Sequence, residues 1–215
     1  VMGSRKDLSV GPKGGTSLME DVAARGYVVA SVGYRLAPKH PFPAQIQDAR
    51  AAVRFLRAKA KAYRIDPDRF AAAGFSAGGH LALLLGLADK VEGWDAGGNR
   101  DQSARVQCVV DFFGPTDLSL YTTEAIQDAY LVPVFGKALK TDKEVLKKAS
   151  PVTYVSKAAP PVLMFHGTFD VVVPVLHSEA LHQKLQDAGA TSELVTVFAE
   201  GHGWGGRAFA KNVAR

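Results

Sequence analysis

The most restrictive stretch of this chain is Gly74-Phe75-Ser76-Ala77-Gly78-Gly79, set between Ala71-Ala72-Ala73 and Leu81-Ala82-Leu83-Leu84-Leu85. The alanines close a short segment, residues 69–74, that reads as a strand, and the leucine-rich residues 79–88 read as a helix. A strand that becomes a helix within so few residues turns sharply, and a Cβ beside the turn collides with neighbouring backbone, which favours glycine on both sides of the serine. Ser76 is thereby held out at the end of the strand. The first amides of the following helix point toward the same spot, and the N–H of Ala77 is placed to donate to an oxyanion there.

The same alternation of strand and helix runs along the rest of the chain. From Ser17 the apolar positions Leu18, Val22 and Ala23 recur at helical spacing until Gly26, and residues 27–34 form a run of valine and aromatics that predicts a strand. Pro43 opens a helix whose stripe Ile46, Ala49, Val53 and Leu56 steps by three and four. Further strands are predicted over 106–113, 162–166 and 194–198, a helical excursion over 124–148, a helix over 175–188 and a polar loop over 92–105. With 47% hydrophobic and 22% charged residues in 215, the chain can bury one sizeable core. The expectation is a single domain over residues 1–215, of α/β class, with a mostly parallel sheet flanked by helices.

A formal charge of +5 raises the question of nucleic acid, but the basic residues are scattered. Their densest group, Arg57, Lys59, Lys61 and Arg64, is interleaved with alanines and lacks stacking aromatics, so it reads as a solvated helix face and no nucleic-acid binding is predicted. The single cysteine, Cys108, has no partner for an internal disulfide and reads as a buried strand residue. Nothing in the chain demands an oxidising compartment, and both cytoplasmic and secreted settings are compatible with it. No apolar stretch reaches the roughly 18 residues of a membrane span. No set of His, Cys and carboxylates has the spacing of a metal site, so neither a metal nor another cofactor is predicted.

A serine hydroxyl is a poor nucleophile at neutral pH and requires a positioned base with an acid to orient it. The best-placed acid is Asp170, in His166-Gly167-Thr168-Phe169-Asp170 just past a predicted strand; the best-placed base is His202, in Glu200-Gly201-His202-Gly203-Trp204 after the last one. Each has a rival. Asp117 also follows a strand, one strand earlier, but its setting Gly114-Pro115-Thr116-Asp117 suits a turn or helix cap. His177 and His182 lie in a helical pattern, His40 in a proline-rich loop, and His80 opens the helix after Ser76. His166 ends a strand and suits support of the next loop.

At these residues the chain resembles the α/β-hydrolase superfamily, and more narrowly the hormone-sensitive-lipase-like esterases, through Tyr34-Arg35-Leu36-Ala37-Pro38, Phe42-Pro43-Ala44, Ile65-Asp66-Pro67 and the Ser76 turn. Through Phe113-Gly114-Pro115-Thr116-Asp117 and Gly201-His202-Gly203 it is also similar to acetylxylan and feruloyl esterases. The resemblance runs nearly end to end. It implies a serine esterase acting on short-chain acyl esters of small molecules; a peptidase or amidase of the same superfamily and a non-catalytic binding protein on the same fold stay open as alternatives. Such esterases carry an H-G-G-G motif that supplies the rest of the oxyanion hole. No such motif is present; Val1-Met2-Gly3-Ser4 looks like the sequence that follows it, and Gly14-Gly15 lies too near the first helix to replace it. The resemblance therefore implies a chain incomplete at its N-terminus, lacking N-terminal strands including one between residues 27–34 and 69–74, a gap in the sheet, and activity reduced by the missing donor, typically about 10²–10³ in rate.

Overall fold

The computed structural model describes residues 17–136 and 143–203, so the sequence features at Val1-Met2-Gly3-Ser4, Gly14-Gly15 and Trp204 lie outside the described residues. In chain order the elements are α1 (Leu18–Ala24), α2 (Ala44–Ala58), α3 (Ala60–Tyr63), β1 (Ala71–Phe75), α4 (Ala77–Leu87), β2 (Cys108–Phe112), α5 (Glu124–Ile126), α6 (Val132–Phe135), α7 (Lys143–Ala149), β3 (Val162–Gly167), α8 (Leu176–Asp187) and β4 (Ser192–Val197). Among the described residues four strands, all parallel, lie in the order β1-β2-β3-β4. Parallel neighbours need crossovers, and α4 and α8 serve as two of them, so every strand ends at the same edge of the sheet.

One face of the sheet is covered by α4, whose leucines have no polar side to show: residues 79–85 and Leu87 are all buried. They join Val109, Val162, Met164, Leu181 and Leu185 in the main core, against which the α2 stripe Ile46, Ala49 and Val53 also packs. The other face carries a row of aromatic rings set by the register. Phe75 pairs with Phe112 and Phe112 with Phe165, and because paired residues of parallel strands point the same way, the rings stack across three strands. Their centroids are 4.4 Å and 5.1 Å apart with interplanar angles of 18° and 10°.

Several predicted elements change on inspection. Residues 27–34 are not a strand in the structure and do not join the sheet, and Tyr27 and Val28 are exposed; strand composition alone does not supply the hydrogen-bonded ladder that a strand needs. The helical excursion over 124–148 breaks into α5, a π-turn at Gln127–Leu131, α6 and α7, with Gly136 at a φ of 80° closing α6. Cys108 is on a strand as predicted but half-buried. The basic group around Arg57 is not uniformly solvated: Arg57 lies over the Phe70 ring at 4.5 Å and donates to the carbonyls of Pro67, Ser103 and Arg105. Together with Arg50 and Arg54, which bind Asp95 and the carbonyls of Ala88, Ala96 and Gly98, it ties the 92–105 loop to α2. The resemblance motif around Arg35 does the same for the chain before α2, since Arg35 grips Asp48 and Gln45 donates to the carbonyls of Arg35 and His40. Ser17 and Glu20 form the capping box that starts α1.

Polar groups are buried under the carboxyl edge of the sheet. Asp111, fully buried on β2, accepts the Gly114 N–H at 3.1 Å through Oδ1, while its Oδ2 has no hydrogen-bond partner among the described residues. Burial pushes its carboxyl up to about 7, against the opposing pull of His166 and the Gly114 amide. His80, on α4, holds the Pro115 carbonyl at 2.8 Å through Nδ1, and burial pulls its pKa down to about 4. His177 receives the Thr116 N–H on Nδ1 at 3.2 Å and is likewise pulled down to about 4, burial again being the main cause.

Two outcomes follow from this packing. Phe112→Ala, which removes the middle ring of the stack, is expected to lower unfolding free energy by about 3–5 kcal/mol in urea titrations. Asp111 keeps its proton up to about pH 7 when folded, whereas an unfolded aspartate releases it near 4, so its burial costs stability increasingly as pH rises through that window. Asp111→Asn is therefore expected to stabilise the fold by roughly 2 kcal/mol at pH 8, an advantage that shrinks toward pH 5, as read from unfolding curves at both pH values.

Candidate active site

Ser76 sits between β1 and α4 with φ 52° and ψ −117°, a conformation that costs on the order of 1–3 kcal/mol for a residue with a side chain. The surroundings hold it there. Its N–H donates to the Phe112 carbonyl at 2.8 Å, and its own carbonyl accepts the His80 N–H at 3.0 Å. A Cβ on Gly74 would lie 2.2 Å from the carbonyl of Gly78, so the turn can close only with glycine at 74. The two glycines flanking Ser76 are not equivalent, contrary to the sequence expectation: a Cβ on Gly78 meets open space, and it is Gly79, packed on Asp111 Oδ1, that leaves no room. Ala77 is the first residue of α4, so its N–H has no carbonyl within the helix to bind and faces outward at the positive end of the helix dipole.

Asp170 follows β3 in a loop that its own side chain organises. Its Oδ1 accepts the N–H of Val172 at 2.9 Å and of Val173 at 2.8 Å, leaving Oδ2 to face His202. The loop after β4 is laid directly on this one: Phe169 N–H donates to the Glu200 carbonyl at 2.9 Å, and a Cβ on Gly167 would be 2.3 Å from that carbonyl oxygen. This close approach delivers His202. Its Nδ1 lies 2.7 Å from Asp170 Oδ2 and its Nε2 2.9 Å from Ser76 Oγ, with the Phe113 ring set edge-on to the imidazole, centroids 4.9 Å apart.

The three sequence candidates thus meet in one hydrogen-bonded line across the ends of β1, β3 and β4. A carboxylate can only accept, so His202 carries its proton on Nδ1 and presents a lone pair to the serine hydroxyl. The Asp170 side chain is entirely buried while that of His202 is 22% exposed, so the imidazole is reachable from solvent and the carboxylate is not. Burial alone would raise the Asp170 carboxyl, but hydrogen bonds from His166, His202 and the Val173 amide outweigh it and hold it well below the ordinary carboxylate range. Asp170 therefore stays charged beside the ring.

The rivals are placed elsewhere. Asp117 caps a 3₁₀ turn, accepting from Ser119 N–H at 3.0 Å and Oγ at 2.6 Å. His182 binds Ser192, and His80 and His177 are buried below the site. His166 reaches the loop it precedes: its Nε2 is 2.7 Å from the Val173 carbonyl and 3.5 Å from Asp170 Oδ2. Asp111 went unremarked in the sequence, although one carboxylate inside the apolar run Val109-Val110-Asp111-Phe112-Phe113 is a visible signal.

Comparison with known proteins identifies the family and the fold. The BD-FAE family model matches residues 7–185. Esterase LipC of Mycobacterium tuberculosis is 32% identical over 175 residues, 80% of this chain and 43% of that protein. The chain spans less than half the length of the curated relatives it matches. Among solved structures, an acetyl ester-xyloside bifunctional hydrolase from Caldicellulosiruptor lactoaceticus superposes with a TM-score of 0.69 at 28% identity, covering 84% of this chain and 63% of that one. A thermophilic esterase, Est2, from Thermogutta terrifontis gives 0.65 at 25% identity, covering 82% and 61%, and its structures include propionate-bound, butyrate-bound and paraoxon-phosphorylated forms. The parallel sheet with its covering helices is the α/β-hydrolase fold, and the chain belongs to the BD-FAE family of esterases.

Proposed function

We propose that this chain is a serine carboxylic-ester hydrolase acting on short-chain acyl esters of small molecules, and that residues 1–215 form a single α/β-hydrolase domain. The observation that carries the reading is the unbroken line from Ser76 Oγ through His202 to Asp170, with contacts of 2.9 Å and 2.7 Å. His202 takes the Ser76 proton as Oγ attacks the ester carbonyl, and Asp170 stabilises the resulting imidazolium. The oxyanion of the tetrahedral intermediate is met by the Ala77 N–H at the N-terminus of α4. His202 then hands its proton to the departing alcohol, leaving an acyl-serine. Water, deprotonated by the same ring, releases the acyl group as a carboxylic acid and restores the hydroxyl.

The names of the relatives support ester chemistry, and the propionate and butyrate found in the Thermogutta esterase support short acyl chains. Its phosphorylated form suggests the probe. Among the described residues no helix is long and apolar enough to cross a membrane.

The chain is expected to hydrolyse p-nitrophenyl acetate and to take up one equivalent of phosphoryl label from paraoxon at Ser76, read by mass spectrometry. Ser76→Ala is expected to abolish labelling and to reduce turnover at least about 10³-fold. Hydrolysis of p-nitroanilides in preference to esters favours the amidase reading, and absence of both turnover and label favours a binding protein. Asp170→Asn, which keeps the side chain's shape but allows His202 the wrong tautomer, is expected to lower kcat about 10⁴-fold with a much smaller change in KM.

A further inference from the structure

Two imidazoles converge on one oxygen. Asp170 Oδ2 lies 2.7 Å from His202 Nδ1 and 3.5 Å from His166 Nε2. The mechanism uses only the first. His166 is fully buried, and both its nitrogens are engaged: Nε2 contacts the Val173 carbonyl at 2.7 Å and Nδ1 the Ser178 hydroxyl at 2.7 Å. A carbonyl only accepts, so Nε2 must carry a proton, and in the neutral ring Nδ1 then accepts from Ser178.

The Val173 peptide links the two arms of this arrangement. Its N–H donates to Asp170 Oδ1 while its C=O accepts from His166. His166 therefore grips the far end of the turn that aims the carboxylate, with its Nε2 3.5 Å from Oδ2 itself. Ser178, on α8, fixes the ring in turn, so the strand β3 and the helix α8 jointly set where the acid points. The charged and titratable groups around the ring are Asp170 on its own loop, His202 beyond it, Asp111 on β2 and His177 on α8.

We propose that His166 is a positioning residue that holds Asp170 Oδ2 in hydrogen-bonding reach of His202, with Ser178 setting the ring in its turn. The proposal rests on the serine-hydrolase reading for its consequence in catalysis, but its geometry is testable without turnover. A carboxylate held against His202 keeps the Nδ1 proton in a short hydrogen bond, so loosening Asp170 weakens that bond and moves the Nδ1–H resonance upfield.

The experiment follows the His202 Nδ1–H resonance by NMR in wild type, His166→Ala, His166→Gln and Ser178→Ala, with kcat for p-nitrophenyl acetate measured per paraoxon-titrated site. In His166→Ala the downfield Nδ1–H resonance that marks a short bond to the carboxylate is expected to be lost or moved upfield. Turnover per site is expected to fall about tenfold or more with KM nearly unchanged. His166→Gln, whose amide N–H reaches toward Val173, is expected to restore most of both, and Ser178→Ala to move the resonance in the same direction by less. If His166→Ala does not fold, Ser178→Ala and His166→Gln carry the same comparison. An unchanged His202 Nδ1–H resonance in the folded variants overturns the proposal, including the case in which label uptake falls while turnover per site does not, which marks a merely structural histidine. A moved resonance in a chain that neither turns over ester nor takes label upholds the positioning role and overturns the esterase reading instead.

Discussion

Everything at this site depends on the chain's passage from β1 to α4 through a serine in a backbone conformation it would not adopt alone. The strain is held by a contact of backbone on backbone, Gly74 against Gly78, and by the bond from Ser76 N–H to the Phe112 carbonyl. The second requires β2 to lie beside β1 in register, and that register is the one that stacks Phe75, Phe112 and Phe165. The placement of Ser76 is thus tied to the register that also builds the aromatic row, whose first ring, Phe75, directly precedes it.

Parallel topology does the rest of the assembly. With every strand running the same way, the loops after β1, β3 and β4 open at one edge, and residues distant in sequence meet there without any bending of the sheet. The two buried aspartates below that edge show how local hydrogen bonding decides the state of a carboxyl. Asp170 is surrounded by donors and stays charged in spite of burial; Asp111, with one amide for Oδ1 and no hydrogen-bond partner for Oδ2 among the described residues, is driven by its deeper burial toward its neutral form.

The sequence carried the parts of this structure that obey local rules. The glycine-flanked serine between an apolar strand and an apolar helix, the stripe of α2 and the order of the acid and base are all patterns of short range, and the structure brings Ser76, Asp170 and His202 together as those patterns imply. What depended on partners was not legible. Residues 27–34 have the composition of a strand, yet a strand exists only where a neighbour completes its ladder. Arg57 looked solvated because spacing along a helix does not reveal that Phe70 and the carbonyls of Pro67, Ser103 and Arg105 fold up against it. His166 was legible as a loop support, but its reach to the Val173 carbonyl and to Asp170 depends on the path of a turn that no periodicity encodes.

That turn also explains why the acid lies on a loop when the strand nearby offers firmer ground. A carboxylate at the end of β3 would point along the sheet's face, toward α8, where His166 points. Displaced four residues onward, it can fold back so that one oxygen is saturated by the amides of Val172 and Val173 while the other is left for the imidazole of His202. The loop's freedom is removed at its two ends, by the Glu200 carbonyl on Phe169 and by His166 on Val173. The loop is thereby fixed to the strand and helix that flank it, and the Asp170 carboxylate keeps a single aim even though its own backbone belongs to neither.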